Sequence, residues 1–189
     1  MRPIRIALAT LSVGLLLVGA AILPAAAALA APVAATTPAL KATGPNERAY
    51  VISADAAYQA VSQFRPASHL GLTAFLSQYG DRLTPEQLKR AQAQVVRADL
   101  TLAQLEAKTR VTRILARSGA STTRIKQAAD AASRAFDGAT ASTAWAMAEM
   151  QPMLQAKLSL FEGLQAKLEL DRSMRDFAAV GAVVKAVRP

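Results

Sequence analysis

Six basic residues stand close together in the middle of the chain: Lys108, Arg110, Arg113, Arg117, Arg124 and Lys126. No acidic residue interrupts them between Glu106 and Asp130. Arg110, Arg113 and Arg117 are spaced i, i+3, i+7, so on a helix they share one face. Guanidinium groups on one face can hold carboxylates or phosphates in a bidentate way. A basic run of this kind is either an ordinary solvated surface or a docking face for an acidic or unfolded chain or an anionic membrane. Nucleic acid is the poorer partner, because no aromatic residues interleave with the basic ones to stack on bases.

A second group is Met147, Met150 and Met153, spaced M-x-x-M-x-x-M beside Trp145. Thioethers at that spacing are soft ligands suited to Cu(I). Methionine is equally a flexible filler of apolar cores, and the neighbouring tryptophan fits that use. His69 is the only histidine and cysteine is absent, so a zinc site, a disulfide framework and thiol chemistry have no residues to build them. A serine nucleophile would have one histidine to serve as base and no glycine-rich elbow to present it. There is no phosphate-cradling glycine loop, and no pair of carboxylates spaced for shared acid–base work. These residues point to binding without catalysis, and they call for no cofactor.

The element that must position the basic run is the stretch 83–119, which opens LTPEQLKRAQ and closes at Gly119. Thr84 is suited to cap a helix, Pro85 to occupy its first position, and Gln87 to close a capping box on Thr84. Gly119 can take the left-handed cap conformation at the far end. No Pro or Gly lies between Pro85 and Ser118, which predicts one helix of about 34 residues, or about 51 Å. Leu88, Val95 and Leu102 recur every seven residues, with Ala91, Ala98 and Leu105 between them. This is a seam for a packed neighbour, most simply in an antiparallel hairpin or bundle. Beyond Leu105 the apolar set is expected to shift to Val111, Ile114 and Leu115.

Shorter helices are expected around this spine. One starts at Ser53 and ends at Arg65-Pro66, since proline disfavours a helical residue before it. Another runs from Ser68 to Gly80. A third, with an alanine-rich face, runs from Ser121 or Thr122 to Asp137-Gly138. A fourth segment, carrying Leu154, Leu158, Phe161, Leu164 and Leu168, has a kink or a new start at Pro152. No stretch alternates for long enough to be a strand. The expected fold is all-α: a long helical hairpin or small bundle built on the long helix, with shorter helices packed on it, in one domain over 53–189.

The N-terminus has a different character. Arg2 and Arg5 precede an uncharged apolar run, 6–23, and a small-residue tract in which Ala28 and Ala30 fit a cleavage pattern. Residues 1–30 therefore read as a secretory signal peptide, with an uncleaved membrane anchor as the alternative. Residues 31–52, rich in proline and small residues, read as a flexible leader. Residues 1–30 hold two of the 22 basic residues and none of the 13 acidic ones, so the remainder keeps 20 against 13, a charge of +7. The reading is a basic protein exported to the periplasm or beyond.

The LTPEQ of Leu83, Thr84 and Gln87 resembles the motif of the LTxxQ family of periplasmic stress proteins, the Spy and CpxP type. A second, degenerate copy would fall within MQPMLQAKLSLFEGL, residues 150–164. The resemblance covers about residues 65–170. It implies an all-α protein of helical hairpins, often a curved homodimer, that binds unfolded or envelope-stress sensor proteins without ATP. In that setting the basic residues between 108 and 126 would attract acidic clients.

Overall fold

The computed structural model describes residues 44–155 and 157–188, without the side chains of 147, 149, 150 and 153–155. The expected signal peptide and the leader up to residue 43 lie outside the described residues. The rest is helical, with no strand among the described residues. Four helices follow one another: α1 (Pro45–Tyr79), α2 (Pro85–Arg117), α3 (Thr122–Gln155) and α4 (Leu160–Lys185). A single 3₁₀ turn, Gly80–Arg82, joins the first two. Each helix packs along its neighbours in sequence and α4 closes back on α1, whereas α1 and α3 barely meet across the diagonal. This is an up-and-down four-helix bundle, the arrangement short connections favour.

The long central helix has the ends its residues dictate. The Thr84 hydroxyl accepts from the Gln87 amide at 3.2 Å, and the Gln87 side chain accepts from the Thr84 amide at 3.0 Å. At the other end Gly119 has φ +70°, and the amides of Ala120 and Gly119 donate to the carbonyls of Leu115 and Ala116. That pair of bonds is a Schellman cap. The expected seam is buried at Ala91, Val95, Leu102 and Leu105. It does not shift afterwards: Thr109, Thr112 and Ala116 carry it on, while Val111 and Ile114 face outward. The two threonines can enter the core because their hydroxyls bond back to the carbonyls of Leu105 and Lys108, leaving only methyl groups to pack.

The expected boundaries at Ser53, Pro66 and Gly138 are absent. The first helix begins at Pro45, eight residues before Ser53, and places Tyr50 and Val51 of the expected leader in the core. Ser53 is internal, its hydroxyl bonded back to the Ala49 carbonyl at 2.9 Å. The same helix passes through Pro66 rather than stopping there. The lost backbone bond, a cost of about 3 kcal/mol in a helix interior, is outweighed by packing on both sides of it. Arg65 also ties the helix to α2, with both Asp99 oxygens at 3.0 and 3.1 Å and Glu106 at 3.0 Å. Likewise α3 runs on through Gly138 and Pro152. The helices around the spine are therefore 35, 34 and 26 residues long, not short.

The core fills only one end of the bundle. It is formed by the first half of α1, the second half of α2, the first half of α3 and the second half of α4. Alanines at 129, 132 and 139 bring α3 close, as its alanine-rich face predicts. Phe64, Phe177 and Phe136 stack in sequence, with ring centroids 5.4 and 4.8 Å apart. The Phe136 ring occupies the space in which a side chain at Gly181 would start, so only glycine fits there.

Candidate binding site

Beyond the phenylalanine stack the helices carry smaller inward residues. From α1 come Ala67, Ser68, Gly71 and Leu72; from α2 come Val95 and Ala98; from α3, Ser142, Thr143 and Ala146; from α4, Gly163, Ala166 and Ser173. Leu158, Leu160, Leu164 and Leu170 also line this space, but the small side chains among them leave the interior of a bundle spaced elsewhere by phenylalanines unfilled. The result is a slot of about 560 Å³, with Phe64 and Phe75 among its walls. A cavity of about 150 Å³ holds one benzene-sized group, so this one has room for about three or four. Its volume lies in the range of ligand-binding clefts.

The helix over the slot is held at both ends. At its C-terminal end Phe177, Val180 and Val184 are in the core, and Lys185 meets Asp137 at 2.7 Å. At its N-terminal end Ser159 and Glu162 form a capping box. Glu162 also accepts from Arg82, on the turn between α1 and α2, at 2.6 Å. Arg82 and the Ser159 hydroxyl and amide together hold the Glu162 carboxyl down at about 2. Two turns further on, burial pushes the Glu169 carboxyl up, partly countered by a bond from Gln165. Burial beside Glu169 and Glu162 likewise raises the Tyr79 phenol. Ionisable groups on the slot wall are Lys167, Glu169, Asp171 and Asp176.

The basic residues do not assemble as one face. Arg113 and Arg117 do share a face, but it is turned toward α1 and both close on Asp55. The Arg113 Nε lies 2.8 Å from Asp55 Oδ1, the Arg117 Nη2 lies 2.7 Å from Oδ2, and the Arg113 guanidinium covers the Tyr58 ring at 4.7 Å. Asp55 thereby raises the pKa of Arg117 above its ordinary value. Lys108, Arg110, Arg124 and Lys126 are exposed. Lys108 and Arg110, two residues apart, point to opposite sides of the helix.

Leu83, Thr84 and Gln87 serve the start of α2 and do not line the slot. The degenerate second copy, 150–164, straddles the end of α3 and the start of α4. Met147, Met150 and Met153 fall on α3, and their side chains lie outside the described residues. His69 is exposed, and no cluster of three or more His, Asp or Glu that could hold a metal occurs among the described residues. Sequence reasoning missed the slot, because small residues in a helix read equally as close packing. It also missed the Ser159–Glu162 cap, although S-L-F-E carries the capping-box signature. No protein-family model, curated protein or solved structure matches the chain.

Proposed function

We propose that the protein is a non-enzymatic, ATP-independent chaperone or stress adaptor of the cell envelope, which holds apolar segments of unfolded or stress-signalling proteins. The slot of about 560 Å³ beneath α4 carries this reading. Its walls suit leucine- or phenylalanine-sized side chains, and its small polar groups, Ser68, Ser142 and Thr143, can receive the backbone of an extended chain. The exposed cations Lys108, Arg110, Arg124 and Lys126 and the net charge of +7 beyond residue 30 favour acidic clients by long-range attraction. The capping box at LTPEQ accords with the LTxxQ resemblance, and the N-terminal layout with export.

Gly163 offers a direct test. It lines the slot, and a Cβ added there meets nothing within 4 Å. Leucine at this position is expected to extend into the slot, whose volume exceeds that of its side chain, and it gains helix propensity of about 0.5–1 kcal/mol. The expected result is that purified protein suppresses light scattering by a denatured client at several-fold molar excess. The G163L variant should melt no lower than the parent yet lose several-fold in suppression. Absence of suppression by the parent, or full suppression by G163L, rejects the reading.

A further inference from the structure

On the side turned away from its core residues Phe177, Val180 and Val184, α4 carries a second apolar surface, which meets the slot at Leu160 and Leu164. Leu160, Phe161, Leu164 and Leu168 are 85%, 77%, 56% and 67% exposed. Their spacing, i, i+1, i+4, i+8, places them on one face over about two and a half turns. The same line continues as Arg172 and Arg175, with Lys167 beside it and Lys157 just ahead of the helix. Among the described residues none of these four cations is in an ion pair. The acidic residues of the helix sit mainly on the other side: Glu162 is held by Arg82, and Glu169 and Asp176 line the slot. Asp171, exposed one turn beyond Leu168, is the one acidic residue that falls on the stripe face itself, where it is outnumbered by the four cations.

Isolated exposed leucines are ordinary, but four large apolar side chains in one patch mark an interaction surface. The patch itself spans about 12 Å along the helix. That is small against the roughly 1,000 Å² a stable protein interface buries. Shallow insertion between lipid headgroups needs no more than a few large apolar side chains, with cations at their rim to meet anionic phosphates. Lysine and arginine stems are long enough to keep their charges at the headgroup level while the leucines and phenylalanine go deeper. No described helix is long and apolar enough to cross a membrane, so the contact is with one leaflet.

We infer that the outer face of α4, from Leu160 to Arg175, docks the protein on an anionic phospholipid surface. Phe161 and the three leucines enter the interface, and Lys157, Lys167, Arg172 and Arg175 pair with headgroups. Leu160 and Leu164 also border the slot, so docking sets the slot's mouth at the membrane surface. This surface shares Leu160, Leu164 and Lys167 with the rim of the slot and is distinct from the basic residues between 108 and 126.

The test is co-sedimentation of the full chain with vesicles of phosphatidylcholine containing phosphatidylglycerol, against phosphatidylcholine alone. Expected is binding to the anionic vesicles that weakens several-fold when ionic strength rises from about 0.05 to about 0.5 M. The double variant F161D/L164D should lower the partition at least tenfold with an unchanged circular-dichroism melt. Any contribution of residues 1–43 is common to both proteins and cancels in that comparison. The chain has one tryptophan, so a W145F/F161W protein reports position 161 directly and should show blue-shifted emission on the anionic vesicles. Equal binding by F161D/L164D, no preference for anionic lipid, or no spectral shift at position 161 overturns the proposal. If the double variant loses client capture or self-association while vesicle binding persists, the stripe is a polypeptide surface and the proposal is likewise overturned.

Discussion

At the scale of single residues, Asp55 and Arg65 are each positions on which two opposite charges converge, and Asp55 is the one that takes up the expected basic face. One carboxylate serves two arginines, Arg113 and Arg117, brought from the far end of α2. Exposed ion pairs contribute little. Here all three partners are partly buried, with side-chain exposures of 20–30%, and the Arg117 contact is bidentate. Replacing Asp55 with alanine leaves two neighbouring guanidiniums without their shared partner. The expected loss is about 1–2 kcal/mol, seen as a drop in melting temperature of roughly 2–8 °C for a domain of this size. A D55A protein that melts like the parent would show the cluster to be passive. The i, i+3, i+7 spacing of the arginines is legible in the sequence. Their partner is not, because Asp55 lies 58 and 62 residues away and nothing local marks it.

At the scale of an element, α4 is attached by groups whose charge changes oppose each other. The Glu162 carboxyl sits at about 2, below the usual 4.5. Its contribution is therefore complete above pH 4.5 and is lost as pH falls from there toward 2. Glu169 has the opposite sign. Burial raises its pKa, so the folded state binds that proton more tightly than the unfolded chain does, and stability rises as pH falls through the raised value. The first turns of α4 should thus be best protected in mild acid and should loosen in strong acid. Amide exchange over residues 160–170, corrected for intrinsic rates, measures this. E162Q should remove the strongly acidic limb and E169Q the mildly acidic one. An exchange profile for these residues that is flat between neutrality and pH 2 would contradict the assignment. The start of this helix was readable from Ser159 and Glu162, since a capping box closes within four residues. The Arg82 contact was not, since it joins residues 80 apart in sequence.

At the scale of the whole molecule, the bundle is packed at one end and hollow at the other, and the exposed basic residues between 108 and 126 lie outside the hollow. If the exposed cations draw acidic clients toward the slot, converting Lys108, Arg110, Arg124 and Lys126 to glutamate should slow client capture several-fold at low ionic strength. The difference should shrink in about 0.5 M salt, where screening extends over only a few ångströms. Stopped-flow capture of a fluorescent unfolded client at the two ionic strengths reads this directly, and a rate indifferent to the substitutions would exclude steering. Arg113 and Arg117 are left out of this set, because removing them would also unfasten α1 from α2.

The sequence by itself determined what is settled within one or two helical turns. Thr84 and Gln87 start α2, Gly119 ends it, and the seven-residue recurrence from Leu88 to Leu102 marks its buried side. It determined the all-α class as well, since helical spacing recurs throughout and alternation does not. Tertiary structure decided what depends on distant partners. Packing carries α1 through Pro66 and α3 through Gly138 and Pro152, since contacts along a long neighbour outweigh a local breaker. Asp55 turns two arginines of the expected basic face inward. The slot exists because phenylalanines at 64, 136 and 177 set the helix spacing at one end, while alanine, glycine and serine at the other are too small to fill it. A cap is written in four residues, whereas a cavity is the mismatch of four helices.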